Sequence, residues 1–317
     1  MLHFYGLYDH RTGLTQATKH WPFRVMVQAL LPFPHIDPVL LQLGPIAIRW
    51  YALAYIVGIV LGWWGVVLVL RRKALWAAPP FNGRPPATED DIGDMVVWAT
   101  LGVILGGRLG WVLIYGTILC SVTPQYAPFC DGLPMGFLTN PVRIVAAWEG
   151  GMSFHGGLLG VVIATWLFCR RRKLKLLPVA DLVCAFAPIG IFLVRIANFV
   201  NDELWGRITD VPWAMIFPRG GPFPRHPSQL YEAALEGLAL FVILQIALRL
   251  FGAHRRPGLI SALFFAGYGT FRFICEFFRE PDTQFIGPVS MGMALSIPVW
   301  LGAGVLFWIA YRKPQPA

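Results

Sequence analysis

Charge is scarce in this sequence. Only 14% of its 317 residues are Asp, Glu, Lys or Arg, against about 25% in a soluble domain. Hydrophobic residues make up 56% of the chain, and the mean hydropathy is +0.58. These values exclude an ordinary soluble fold and predict a polytopic membrane protein. Cysteine is scarce as well: there are five, with no CxxC pair, which argues against a zinc ribbon or a dithiol redox motif. Cys120 and Cys130 share one loop and are a candidate disulfide or two free thiols, whereas Cys169, Cys184 and Cys275 lie in apolar helices and read as small core residues. The first 25 residues lack an apolar h-region, so they are not read as a signal peptide. No internal repeat or low-complexity tract is visible. Acids are outnumbered, 17 to 26, for a net charge of +9. The bases fall in short clusters between apolar runs, which fits membrane topology better than nucleic-acid binding.

Seven apolar stretches are long enough to cross a bilayer, which takes about 20 residues. They run from Gly44 to Leu70, Ile92 to Tyr115, Gly151 to Cys169, Pro178 to Val200, Ser228 to Leu250, Leu259 to Phe278 and Met291 to Tyr311. The fold class is therefore all-α, an integral membrane protein of about seven transmembrane helices. Residues 1–33 form an N-terminal extension, interfacial or disordered, with Met26 a second candidate start. Residues 34–313 form the membrane domain, with external loops 116–150 and 201–227, and 314–317 form a short tail. Basic clusters follow spans one, three, five and seven: "RRK" (71–73), "RRRKLK" (170–175), "HRR" (254–256) and "YRK" (311–313). The positive-inside rule puts them all in the cytoplasm, with the N-terminus outside and the C-terminus inside. Thr88 with Asp91 reads as a capping box opening span two.

Polar residues within the spans favour one half of the bilayer. Arg272 lies six residues from the outer end of its span, roughly 9 Å at 1.5 Å per residue. Arg49, Tyr51, Arg108, His155, Arg195, Glu232 and Glu236 occupy the same outer layer. A charge near the membrane centre costs roughly 2.5–3.5 kcal/mol on an insertion scale, so this layer needs partners, water or a charged ligand. Arg272, Glu276 and Arg279 fall at i, i+4 and i+7, one face of a helix. Guanidinium forks match phosphate and carboxylate, so the layer reads as a site for an anionic headgroup at outer-leaflet depth. Blander readings stand beside this one. Arg272 and Glu276 are also a simple i,i+4 ion pair, Arg108 in "GGRLG" reads first as a brace between helices, and Glu232 and Glu236 read first as neutralising nearby arginines. Tyr51 is equally an aromatic-belt residue, and His155 in "GGMSFHGG" equally a structural histidine. In "VRIANFVNDELWGR" (194–207), two Asn, two acids and two Arg at a membrane boundary exceed what a connecting turn needs.

Seven stretches, in order, resemble the prolipoprotein diacylglyceryl transferase family. They are "RWYALAY" (49–55), "LGGRLGWVLIY" (105–115), "WEGGMSFHGGLLG" (148–160), "VRIANFVNDELWG" (194–206), "RHPSQLYEAALEG" (225–237), "GYGTFRFICEFFREPD" (267–282) and "SMGMALSIP" (290–298). Val194 departs from the family signature, which has Gly there. The resemblance spans about residues 34–313. It implies transfer of the diacylglyceryl group of phosphatidylglycerol to the lipobox cysteine of a prolipoprotein signal peptide. A thioether forms, glycerol 1-phosphate leaves, and no metal or soluble cofactor takes part. It also implies a multi-pass protein of the bacterial inner membrane with its active site toward the extracytoplasmic leaflet, and no nucleic-acid partner. Positions resembling the family's essential residues are Tyr51, His155, Arg195, Asn198, Glu203, Gly206, Arg272, Glu276 and Arg279. The expected catalytic set is His155, Arg195, Arg272, Tyr51 and Glu276. Asn198, Glu203, Gly206, Arg279 and Arg108 are the expected substrate-binding set. His155 or the cationic field would activate the thiol.

Three other readings compete. A transporter would place its site near the midplane on broken helices. A membrane protease would need a nucleophile elbow, absent around Ser153. A lipid-binding scaffold would hold the same headgroup without chemistry.

Overall fold

A computed structural model describes residues 31–34, 36–44, 46–113, 142–145, 151–281, 284–286 and 289–312. Cys120, Cys130 and most of the loop 116–150 lie outside them. The described chain opens with an antiparallel hairpin, β1 (Val39–Leu43) and β2 (Ile46–Arg49), and continues directly into α1 (Trp50–Leu70). There follow α2 (Glu89–Gly110), α3 (Phe154–Arg172), α4 (Leu176–Val200), α5 (Ser228–Arg249) and α6 (Leu259–Glu276). A second hairpin, β3 (Gln284–Ile286) and β4 (Val289–Ser290), leads into α7 (Met291–Arg312). The two hairpins depart from the all-α expectation. Strands of two to five residues are too short to leave a period in the sequence, and the first span starts at Trp50 rather than Gly44.

Among the described residues, six helices, all but α3, are long and apolar enough to cross a membrane. The third expected span is present as α3, but its glycine-rich start and its Arg170, Arg171 and Arg172 end dilute its hydropathy. It pairs closely with α2 instead. Gly102 and Gly106 face Gly160 and Gly156, so near that a methyl group on Gly160 would overlap the Gly102 carbonyl oxygen. Small residues at four-residue spacing permit this contact where dispersion has to hold helices together. Gly160→Val is therefore expected to destabilise the detergent-solubilised protein by about 1–3 kcal/mol, the usual cost of overpacking. Leu159→Val, on the exposed side of the same turn, should leave the melting curve in place.

α4 is the hub of the bundle, touching α1, α3, α5 and α6. The main apolar core gathers at one end of it, with Val69, Ile92, Phe168, Leu182, Leu244 and Ile260 among its members. At this end Asp181 of α4 caps α6: its carboxylate accepts the N–H groups of Gly258 (2.7 Å) and Ser261 (2.8 Å) and the Ser261 hydroxyl (2.7 Å). This satisfies donors that a helix start leaves open. The Thr88–Asp91 capping box forms at the start of α2, with both reciprocal bonds present. The basic clusters collect here too. Arg71 pairs with Glu89, Arg172 with Asp94, and Arg256 covers the Tyr311 ring. The opposite end holds a second small core of Phe33, Phe199, Met215 and Phe217, beneath the loop 201–227. The polar residues gather beside it.

Candidate active site

α5 is α-helical over Ser228–Glu232 and Leu240–Arg249 but widens to a π-helix over Ala233–Ala239. Such segments occur often at functional sites. Here the widened stretch begins between two acids, and both Glu232 and Glu236 are completely buried. Burial of carboxylates costs several kcal/mol each unless cations meet them, and three arginines do. Arg272 of α6 donates to Glu232 Oε1 at 2.7 Å. Arg195, near the end of α4, donates to Glu236 at 3.2 Å, and its Nε stands 3.1 Å from Glu232 Oε2 as an ion pair outside hydrogen-bonding geometry. Arg279 reaches Glu232 Oε1 at 3.3 Å. Glu276 adds a third carboxylate, 2.8 Å from Arg272 Nη2.

Three cations and three anions thus sum to zero, but they are not equally accessible. Glu232, Glu236 and Glu276 are at most 3% exposed, whereas the Arg195 and Arg272 side chains keep 15% and 17%. Carboxylates and the buried Arg279 form the floor, and the Arg195 and Arg272 side chains form the more accessible part. Among the described residues, no acceptor engages Arg195 Nη1 or Arg272 Nε. The cluster offers donors to an incoming anion without leaving a buried cation uncompensated.

A second polar group lies beside it. The Tyr51 hydroxyl donates to Glu203 Oε1, and Asn198 Nδ2 donates to both the Tyr51 oxygen and Glu203 (2.9 Å for the latter). Gln229 holds the Glu203 carbonyl at 2.6 Å, and Ser228 holds that of Leu204 at 2.9 Å. Asp202 and Leu204, on either side of Glu203, both take positive φ, +53° and +59°. Strained backbone of this kind persists where surrounding bonds hold it. Nearby, the Trp213 indole donates to the Tyr231 hydroxyl (2.6 Å), which stands 3.1 Å from His226 Nδ1. Burial pushes the His226 imidazole below its ordinary pKa. The neutral ring can then accept the Tyr231 proton at Nδ1.

The sequence profile of the prolipoprotein diacylglyceryl transferase family matches residues 38–309. Proteins named phosphatidylglycerol–prolipoprotein diacylglyceryl transferase are similar over nearly their whole length. The one from Rhodospirillum rubrum is 52% identical over 292 residues, covering 90% of this chain and 96% of its own. The Brucella anthropi protein is 46% identical over 301 residues, covering 92% and 99%. The Allorhizobium ampelinum protein is 49% identical over 288 residues, covering 90% and 92%. The chain belongs to the prolipoprotein diacylglyceryl transferase family.

The residues singled out in the sequence divide into groups in this family member. Arg195, Arg272, Arg279 and Glu276 meet in the ion-pair cluster; Tyr51, Asn198 and Glu203 meet in the second group. Arg279 does so from outside the helix, since α6 ends at Glu276 and Phe277 caps it; the expected i, i+4, i+7 stripe holds only for its first two members. Arg108 is buried and donates to the carbonyls of Ile144 and Gly151, both at 3.0 Å, tying α2 to the segment before α3. Gly206 is packed between chain segments: its N–H donates to the His226 carbonyl at 2.8 Å, and a side chain would strike His226 and the Phe278 carbonyl. Its part is to let the loop 201–227 close against residues 278–279. Arg49 is exposed at the end of β2. His155 is exposed on the first turn of α3, which Ser153 caps by accepting the Gly156 N–H.

Two residues gain weight from the structure. Glu232 is the shared partner of three arginines, where the sequence suggested only a neutralising charge. Gly292 of α7 lies so close to the Glu276 carboxylate that any side chain would displace it. Their signals were weak in sequence because each depends on a different helix approaching from afar in the chain.

Proposed function

We infer that this chain transfers the diacylglyceryl group of phosphatidylglycerol to the thiol of a prolipoprotein's lipobox cysteine. Sulfur attacks the glyceryl C3, the C–O bond to phosphate breaks, and glycerol 1-phosphate departs with the electron pair. The observation that carries the site assignment is the convergence of Arg195, Arg272 and Arg279 on fully buried Glu232, with guanidinium the accessible part of the cluster. Negative charge grows on the leaving phosphate in the transition state, and donors fixed in advance stabilise it without reorganising. In this reading Arg195 and Arg272 clamp the phosphodiester. Glu232, Glu236 and Glu276 hold the two forks in position, and Tyr51 and Asn198, braced by Glu203, orient the glycerol.

The bundle is read as seven crossings, with α3 the additional one, carried through the bilayer by its close seam with α2. The basic end faces the cytoplasm and the arginine cluster faces the extracytoplasmic leaflet of a bacterial inner membrane. That depth suits both a phospholipid headgroup and a cysteine that follows a signal-peptide helix.

Incubating the purified protein with labelled phosphatidylglycerol and a lipobox peptide tests the reading directly. The peptide should gain the mass of one diacylglyceryl unit on its cysteine, and unchanged peptide mass would overturn the assignment. The same assay addresses the thiol proton. A neutral imidazole near working pH is a suitable base, and a general base contributes typically 10²–10⁴-fold, so His155→Gln should reduce turnover on that order. Near-normal turnover would leave thiol activation to the cationic field instead.

A further inference from the structure

We propose that α7 supports the arginine clamp: the bare Cα of Gly292 seats the Glu276 carboxylate against the first turn of α7, and that seat fixes the angle at which Arg272 presents its fork. Gly292 is then a positioning residue for diacylglyceryl transfer, and this inference rests on the transferase reading above. Glycine is a poor helix former, yet Gly292 is the second residue of α7, and its φ is not positive. Space is what the position demands. A methyl group there would stand 2.5 Å from Glu276 Oε2, 2.6 Å from Cδ and 2.8 Å from Oε1. All three lie well inside the roughly 3.5 Å at which non-bonded atoms meet.

The start of α7 is not free to move aside. Further along the same interface, the Trp300 indole donates to Thr270 Oγ1 of α6 at 3.2 Å. It lies over Gly269, where a methyl group would come within 2.9 Å of the indole nitrogen. The first turn of α7 is also tied at both ends. Ser290 Oγ accepts the Met293 N–H at 3.2 Å, and the Ser296 hydroxyl donates to the Gly292 carbonyl at 3.0 Å. The opening N–H groups of a helix lack partners within it and carry partial positive charge, which suits a carboxylate. On its other side that carboxylate stands 2.8 Å from Arg272 Nη2, while Arg272 Nη1 donates to Glu232 at 2.7 Å. Two acids therefore hold the two arms of one guanidinium, and α7 holds one of those acids. Under a new methyl group the Glu276 side chain yields first, because its end swings where the two backbones do not. Displacing it releases one arm of Arg272 and lets the fork rotate.

The test is Gly292→Ala, beside Gly302→Ala on the same helix, where nothing lies within 4 Å of the added methyl. Gly292→Ala should lower kcat for transfer about 10²-fold, as a small misplacement of a catalytic group does. KM should stay near the parent's, because the clamp acts on charge that develops in the transition state. Gly302→Ala should leave both unchanged. Modification of Arg272 by phenylglyoxal, mapped by mass spectrometry, should be several-fold faster in Gly292→Ala than in the parent or in Gly302→Ala. In a Glu276→Asp background the carboxylate is already withdrawn. Adding Gly292→Ala there should cost less than about threefold, whereas independent defects would multiply. Parent-like kcat and modification in Gly292→Ala, or the same loss in both backgrounds, would overturn the proposal. If the single variant does not fold, the double variant should, since the methyl then has room; a double variant equally unfolded would overturn it too. The modification rates need no turnover. A parent chain that fails to transfer the lipid would therefore sink the transferase reading while the seating of Glu276 is still decided.

Discussion

Arg272→Lys should lower diacylglyceryl transfer by about 10²–10³-fold, the usual cost of removing one fixed donor from a developing oxyanion, while the protein remains folded. Arg272 meets Glu232 at 2.7 Å and Glu276 at 2.8 Å through different Nη atoms, with Glu236 at 3.8 Å. A guanidinium spans these acids and still turns an edge outward. An ammonium is one point charge on a flexible stem, and its three rotating donors lack the planar fork that holds two carboxylates while facing a phosphate in fixed geometry. The charge of the cluster is conserved in this substitution, so a loss of rate reports geometry rather than field. Turnover of labelled phosphatidylglycerol, measured beside a thermal melt, separates the two. Loss of turnover with a melt close to that of the parent supports the clamp. Arg195→Lys makes the companion case, because Arg195 meets Glu232 and Glu236 from α4. If transfer survives both substitutions, the phosphate is held elsewhere.

Glu232→Gln should be the most damaging single change to stability, about 3–5 kcal/mol, as expected when one partner of a buried ion pair is removed. Glu232 is fully buried and stands within 3.3 Å of three different arginines. The amide would leave three guanidinium groups facing two carboxylates, and its own NH₂ would point at cations. Glu276→Gln provides the comparison: among the described residues that carboxylate meets one arginine, Arg272, so its loss should cost much less. Unfolding of both variants in mild detergent measures the difference. Equal stability of the two would show that Glu232 is not the centre of the cluster.

Much of this was legible in sequence because membrane insertion imposes strong rules. The apolar runs marked the helices, and Thr88 with Asp91 announced the start of α2, where the capping box is formed. The one-sided depth of the charges marked the layer in which Arg195, Arg272 and Glu276 meet. Hairpins β1–β2 and β3–β4 were missed because so few residues carry no period. The i, i+4, i+7 stripe was only partly right because the helix ends three residues before Arg279, and end positions depend on capping and packing more than on local pattern.

Composition and spacing alone determined that this chain lives in a bilayer and which residues are too costly to be idle there, while the resemblance of seven ordered motifs pointed to its family. The first two conclusions follow from the cost of polar groups in hydrocarbon, a property of each residue wherever it sits. Tertiary structure alone decided which charge meets which. Glu232 became the hub because α5 faces α4 and α6 at the turn that leads into its π-helical stretch, and Arg108 became a brace because carbonyls of a distant segment reach it. Pairing depends on how helices far apart in the chain cross in space, and no local pattern encodes that.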